Sequence, residues 1–212
     1  MTIFVKKFSE PPFDRAEILR YSGCKSSTPE IDALIDECIS ECDGIFSYNV
    51  CYTEVPVTKK DDTLDLSFLQ TTSTALKKNL ENCTSAVVFG ATVGIGIDRL
   101  IARYGRISPS KAMIFQAIGA ERIEALCDMF NNSIKGFKRS RFSPGYGDFP
   151  LEFQKDFFKI LDAPRKIGLS LNDSLLMSPT KSVTAIIGNS DTPCEKGCRL
   201  CGNTDCSFRK EM

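Results

Sequence analysis

The sequence contains no histidine. This absence excludes the commonest general base, the Ser-His and Cys-His nucleophile systems, and every metal site that depends on imidazole. A metal ion bound by this chain would therefore need sulfur or oxygen ligands.

The sequence also lacks net charge, because 27 Lys and Arg residues balance 27 Asp and Glu residues. A neutral chain has no overall field that attracts nucleic acid or an anionic membrane. One local basic cluster, formed by Lys135, Lys138, Arg139 and Arg141, is the exception. We therefore expect no nucleic-acid or membrane partner, and we expect any anion to be recognised locally.

Long apolar segments are missing as well. Residues 1–14 have no apolar core of the signal-peptide type, and the longest apolar run, residues 86–97, is too short to cross a bilayer as a helix. These features predict a cytoplasmic protein, whose thiols stay reduced. Ten cysteines in such a chain indicate metal or redox use more than a disulfide framework.

Apolar periodicity predicts a mixture of helices and strands. The helices are predicted over residues 13–22, 28–43, 69–83, 97–107, 108–137 and 151–162. The strands are predicted over residues 48–57, 63–69, 85–93 and 181–188, with the second as partner of the first. The order of these elements is not regular enough to require a doubly wound sheet.

Residues 138–150, KRSRFSPGYGDFP, form what we call the corner. Pro144 and Gly145 occupy the second and third positions of a predicted type II turn. Arg141 precedes this turn, and its planar guanidinium suits a carboxylate. Tyr146 follows with an aromatic face and a hydroxyl. The corner therefore suits a small zwitterion with a carboxylate and a flat ring; the alternative is a surface turn with a solvated arginine.

The motif Arg-x-x-x-Gly-Tyr in the corner is followed about 30 residues later by Met-x-Pro-x-x-Ser-Val. This pair of motifs resembles the activation domain of vitamin B12-dependent methionine synthase, in its standalone bacterial form. The matching positions are Arg141, Gly145, Tyr146, Met177, Pro179, Ser182 and Val183. The resemblance covers roughly residues 10–188. It implies an α+β fold in which one domain, residues 1–188, has a mainly antiparallel twisted sheet flanked by helices, with a Cys-rich tail, residues 189–212.

The resemblance implies that the ligand is S-adenosylmethionine. Arg141 would then bind the methionine carboxylate, and the backbone of Ser143 would hydrogen-bond the adenine. Gly145 and Tyr146 belong to the same pocket, and Glu124 falls where the family has a helical glutamate near the cofactor. The family's amino-group-binding aspartate has no counterpart that we can assign.

The function that the resemblance implies is reactivation of a methionine synthase that lacks its own activation domain. S-Adenosylmethionine would supply a methyl group to cob(II)alamin carried by the partner, and a flavodoxin- or ferredoxin-like donor would supply the electron. One alternative client is another corrinoid methyltransferase. A second alternative is a non-catalytic, metal-binding redox or adaptor protein. The chain departs from the family at Gly147, where full-length enzymes typically have proline.

The C-terminal tail has a separate motif, C-x3-C-x2-C-x4-C, formed by Cys194, Cys198, Cys201 and Cys206. Four thiolates this close, in a segment too polar to fold alone, suit an iron–sulfur cluster or a structural zinc ion. A cluster could relay the reducing electron, whereas zinc would act as a clip or docking element. The alternative is a thiol-rich tail that binds no metal.

Overall fold

The computed structural model describes residues 1–24, 26–134, 136 and 140–190. The helices are α1 Arg15–Tyr21, α2 Pro29–Ser40, α3 Thr74–Asn79, α4 Gly96–Ile107, α5 Pro109–Ser133, α6 Gln154–Leu161 and α7 Ala163–Ile167. The strands are β1 Phe4–Phe8, β2 Tyr48–Pro56, β3 Thr58–Lys60, β4 Thr63–Asp65, β5 Gln70–Thr71, β6 Ser85–Thr92, β7 Ser170–Leu171, β8 Met177–Ser178 and β9 Ser182–Asn189. A 3-10 turn, Leu151–Phe153, precedes α6.

The central sheet has four strands in the order β1-β2-β6-β9, and every neighbouring pair is antiparallel. Strand β6 has an almost continuous apolar sequence because both of its faces are covered. Successive side chains alternate between the two faces, so Val87 and Phe89 enter one core while Val88 enters the other. The mainly antiparallel sheet with flanking helices confirms the α+β prediction.

Two layers of helices cover this sheet. On one face, α1, α2, α4 and the 25-residue α5 contribute to a core in which the rings of Phe89 and Phe130 lie 4.8 Å apart. On the other face, α6, α7 and α3 pack with the short strands around Phe157 and Leu161. Strand β9 lies at one edge of the central sheet. The long helix α5 and this edge strand form the walls of the cleft described below.

The predicted pairing of residues 63–69 with β2 is wrong. Strand β4, within that stretch, pairs instead with β3 and β5 in a separate three-stranded sheet. The reason is that a strand has two hydrogen-bonding edges, and those of β2 are already occupied by β1 and β6.

The segment before α1 is fixed to α5 by a buried arginine. Arg122 is fully buried and donates hydrogen bonds to the carbonyl oxygens of Pro11 at 2.6 Å and Pro12 at 2.8 Å. Its charge is balanced by the adjacent carboxylate of Glu121, whose side chain is also buried. Within the described residues, no helix is both long and apolar enough to cross a bilayer.

Candidate functional site

The described part of the corner, residues 140–150, is joined to the edge of the central sheet. Phe142 and Ile186 of β9 exchange backbone hydrogen bonds of 3.0 and 2.9 Å. The Phe142 ring packs toward the α6 side of the sheet. Because side chains alternate along an extended segment, Arg141 is directed to the opposite side, toward α5.

The turn has the geometry predicted from Pro144 and Gly145. The Tyr146 N–H donates to the Ser143 carbonyl at 3.1 Å, and Gly145 has a φ of +92°. A type II turn needs this positive φ at its third position, and glycine adopts it without steric cost. The Gly145 N–H also donates to the Phe149 carbonyl at 2.8 Å, which closes the corner.

Asp148 fixes the corner to the N-terminus of α3. Its carboxylate accepts hydrogen bonds from the Ser73 hydroxyl, from both the amide and hydroxyl of Thr74 at 2.7 Å, and from the Ala75 amide at 3.0 Å. Hydrogen bonds from Ser73 and Thr74 hold the pKa of Asp148 well below its ordinary value. A carboxylate at this position also interacts favourably with the unpaired amides of a helix N-terminus.

The close approach of the corner to α3 also explains why residue 147 is a glycine. Gly147 has a φ of +56°, whereas a proline ring restricts φ to about −65°. A Cβ atom at this position would lie 2.8 Å from the Cβ of Ala75. A proline at position 147 therefore does not fit the backbone found here.

Arg141 is held by two carboxylates of α5. Its NH1 donates to Asp128 Oδ1 and its NH2 donates to Glu124 Oε2, each at 2.7 Å. The Arg141 side chain is 21% exposed. Burial lowers the pKa of its guanidinium, but the acidic groups of Cys127, Glu124 and Asp128 raise it by more, so the pKa lies above its ordinary value. Arg141 is therefore a constant cation in an acidic setting.

A cleft of about 1120 Å³ lies between α5, the corner and β9. It brings together Glu124, Arg141, Ser143 and Tyr146, four of the residues predicted for the ligand. Gly145, the fifth, provides the turn between Ser143 and Tyr146. The ligand contacts assigned to these five residues remain predictions.

The second predicted motif forms another wall of the same cleft. Met177, Ser182 and Val183 line it, and the β7–β8 hairpin adds Leu176 at the mouth. Thr180 is held in place by Asp98 of α4, which accepts hydrogen bonds from its amide and hydroxyl. The two motifs, about 30 residues apart in the chain, therefore face one ligand-sized space.

The lining residues that the sequence analysis missed include Tyr21 of α1, and Asp128 and Asn131 of α5. Asp128 could have been predicted from the sequence, because it lies four residues after Glu124 and thus on the same helix face. Tyr21 is 120 positions from Arg141, and no local pattern connects them.

The predicted metal ligands Cys194, Cys198, Cys201 and Cys206 lie outside the described residues, as do Lys135, Lys138 and Arg139 of the basic cluster. In the part of the chain that is described, no group of His, Cys, Asp or Glu side chains could hold a metal ion. Cys38 and Cys42, in that part, are free thiols. Burial raises the pKa of Cys38 and of Cys42 to about 12, which makes both unreactive.

No protein-family model matches this chain, and no curated protein matches it in sequence. A solved structure does match: the crystal structure of the MetH reactivation domain bound to AdoHcy aligns with a TM-score of 0.66 and 12% sequence identity. The alignment covers 92% of this chain and 81% of that domain. The fold that the two motifs predicted is therefore confirmed.

Proposed function

We propose that this protein binds S-adenosylmethionine in the cleft beside Arg141 and reactivates a cobalamin-dependent methionine synthase that lacks its own activation domain. The observation that supports this most directly is the position of Arg141. Its guanidinium lies in a ligand-sized cleft, opposite the second motif of the same resemblance. The fold shared with a reactivation domain that binds AdoHcy gives independent support.

Arg141 retains hydrogen-bonding capacity for a ligand carboxylate. A guanidinium has five N–H donors. Glu124 and Asp128 each accept one of them, from different nitrogens. Three donors have no acceptor among the described residues, so a carboxylate can approach without displacing either acid. The two acids hold the guanidinium in place before the ligand arrives, which lowers the entropy cost of binding.

The charges around the cleft suit this ligand. The group formed by Arg141, Glu124 and Asp128 has one negative charge in excess. S-Adenosylmethionine has one positive charge in excess, because its ammonium and sulfonium outweigh its carboxylate. Binding would therefore neutralise the cleft.

The chemistry of reactivation needs little from the protein beyond positioning. One electron from a flavodoxin- or ferredoxin-like donor and one methyl group from the sulfonium would form a cobalt–carbon bond on the partner's cob(II)alamin and release S-adenosylhomocysteine. No proton moves at the methyl carbon, so a chain without histidine suffices. The residues around Arg141 would orient the ligand so that its methyl group faces the partner.

The mouth of the cleft suits a large, flat partner group. Tyr146, Leu151 and Leu176 line it and are 57%, 42% and 65% exposed. Exposed apolar side chains grouped in this way are typical of interaction surfaces. We propose that the corrin ring of a methionine synthase docks there; another corrinoid methyltransferase is the alternative client.

Isothermal titration calorimetry with S-adenosylmethionine tests the ligand. Arg141→Ala is expected to weaken binding at least tenfold, because it removes a charge-assisted hydrogen bond to the carboxylate. The matched control is Arg165→Ala, since the Arg165 side chain is 85% exposed and pairs only locally with Asp162. Absence of binding by the wild-type protein, or equal binding by Arg141→Ala, would reject the proposal.

A reactivation assay tests the client. Methionine synthase lacking its activation domain and loaded with cob(II)alamin would be mixed with this protein, S-adenosylmethionine and reduced flavodoxin. Recovery of methionine synthesis supports the proposal, whereas ligand binding without recovery indicates another corrinoid protein.

We also propose that Cys194, Cys198, Cys201 and Cys206 bind a metal centre, on the basis of their spacing alone. Protein purified without oxygen would be brown if the centre is an iron–sulfur cluster, and colourless with one bound zinc ion if it is structural. Metal analysis of a variant with all four cysteines changed to serine is the control, and equal metal content in both proteins would contradict the proposal.

A further inference from the structure

Two buried polar atoms in the cleft have no hydrogen-bond partner among the described residues. They are the side-chain carbonyl oxygen Asn131 Oδ1 and the hydroxyl oxygen Ser140 Oγ. Asn131 follows Asp128 by three residues on α5, so the two share a helix face. Ser140 directly precedes Arg141. Both residues line the cleft.

Such atoms need an explanation, because buried polar groups in folded proteins are nearly always hydrogen-bonded. Other polar groups of the same cleft do have partners. The Ser182 hydroxyl bonds to Thr92 and to the Pro179 carbonyl, and the Thr180 hydroxyl bonds to Asp98. Among the residues that line the cleft, the unpartnered oxygens are those of Asn131 and Ser140; a third such oxygen, Asn79 Oδ1, does not line it.

The chemistry of an α-amino acid indicates what they would bind. Its ammonium and carboxylate are attached to one carbon atom, so a carboxylate on Arg141 brings the ammonium next to the neighbours of Arg141. An ammonium has three N–H donors and no acceptor. The groups that face it must therefore be oxygens, and preferably include a negative charge.

We infer that Asn131, with Ser140 and Asp128, binds the ammonium of the ligand's amino-acid end. This inference rests on the proposed function. It assigns the ammonium to α5 and to the residue before Arg141, where the resemblance left no residue for it. Asn131 and Ser140 each provide an acceptor oxygen, and Asp128 provides the negative charge. Asn131 Oδ1 and Ser140 Oγ are enclosed and unpartnered in the free protein, and a rotation of each side chain would turn its oxygen toward the ligand.

The test compares S-adenosylmethionine with its deaminated analogue, in which hydrogen replaces the ammonium. Asn131→Leu is expected to weaken the binding of S-adenosylmethionine about 10- to 100-fold, the range of a hydrogen bond to a charged group. It should leave the affinity for the analogue unchanged. The control is Lys155→Leu, because Lys155 of α6 is exposed and does not line the cleft. It should change neither affinity more than about threefold.

Thermal denaturation without ligand separates binding from folding. Asn131→Leu should not lower Tm, since it removes a buried oxygen that has no partner and adds apolar surface. Ser140→Ala is a second, smaller substitution. It should weaken the binding of S-adenosylmethionine severalfold and leave the affinity for the analogue unchanged.

The outcomes distinguish this inference from the proposed function. If the wild-type protein does not bind S-adenosylmethionine, both fail. If the wild type binds but Asn131→Leu and Ser140→Ala bind both ligands as the wild type does, the ammonium assignment alone is overturned. Equal loss of both ligands would also overturn it, because the residues would then shape the cleft rather than contact the ammonium.

Discussion

Neutralising the two acids beside Arg141 is expected to reduce the preference for S-adenosylmethionine over S-adenosylhomocysteine. The two ligands share the adenine, the ribose and the amino-acid end, and differ in the methyl group and the positive charge on sulfur. With the ligand bound as proposed, Glu124 and Asp128 would attract the charged sulfonium but not the neutral thioether. The same preference would favour exchange of spent S-adenosylhomocysteine for a new S-adenosylmethionine.

The size of the effect follows from the exposure of the acids. The side chains of Glu124 and Asp128 are 44% and 64% exposed, so water screens their field strongly. With an effective dielectric constant of about 50 and a separation of about 6 Å, each carboxylate attracts the sulfonium by roughly 1 kcal/mol. That corresponds to about a fivefold change in the ratio of the two Kd values for each acid removed.

The assay is calorimetric titration of both ligands against Glu124→Gln, Asp128→Asn and the double variant. The amides keep the shape of the carboxylates and still accept hydrogen bonds from Arg141. Any change in how Arg141 holds the ligand carboxylate affects both ligands equally and cancels in the ratio. Asp43→Asn is the control, since Asp43 is exposed and outside the residues that line the cleft.

Salt provides a second check, because screening shortens the range of these charges. The wild-type ratio should fall toward that of the double variant as salt rises from about 0.05 to 0.5 M. The electrostatic reasoning is refuted if the double variant keeps the wild-type ratio at low salt, or if Asp43→Asn changes it as much.

The remaining predictions concern stability. Gly147→Pro should lower the free energy of unfolding by about 2–4 kcal/mol, because a proline cannot adopt the φ of +56°; urea denaturation indistinguishable from wild type would contradict this. Asp148→Asn should lower Tm most above about pH 5 and by progressively less as pH falls below about 4, since the native pKa of Asp148 is depressed and its stabilisation is lost as pH falls through that lowered value. A Tm difference that persists unchanged in acid would exclude this explanation. Arg122→Met should lower the free energy of unfolding by about 3–5 kcal/mol, because it leaves the buried carboxylate of Glu121 unpaired. A loss below about 1 kcal/mol would show that the pair is not buried in solution.

Local structure could be predicted wherever the deciding contacts lie within a few residues. Helix α2 begins as predicted, because the Thr28 hydroxyl accepts a hydrogen bond from the Ile31 amide and Pro29 occupies the first helical position. The turn at Gly145 is another such case, since a proline followed by glycine restricts the backbone by itself. The Arg-x-x-x-Gly-Tyr motif was recognisable for the same reason.

The pairing of segments that are far apart in the chain could not be predicted from the sequence. Residues 63–69 alternate as a strand does, but alternation does not say which strand is the partner, and β1 and β6 occupy both edges of β2. The same limit applies to the cleft. Whether Arg141 is solvated or paired depends on Asp128, and α5 meets the corner only because both pack along β9.

The sequence by itself determined the longer helices, the strands β2, β6 and β9, the turn and the positions of the two motifs, because steric restriction and hydrogen bonds between near neighbours act before the chain is folded. Only the tertiary structure decided that Arg141 would pair with two carboxylates of α5. That arrangement arises from the edge of a sheet whose strands are far apart in the chain, and no local interaction encodes it.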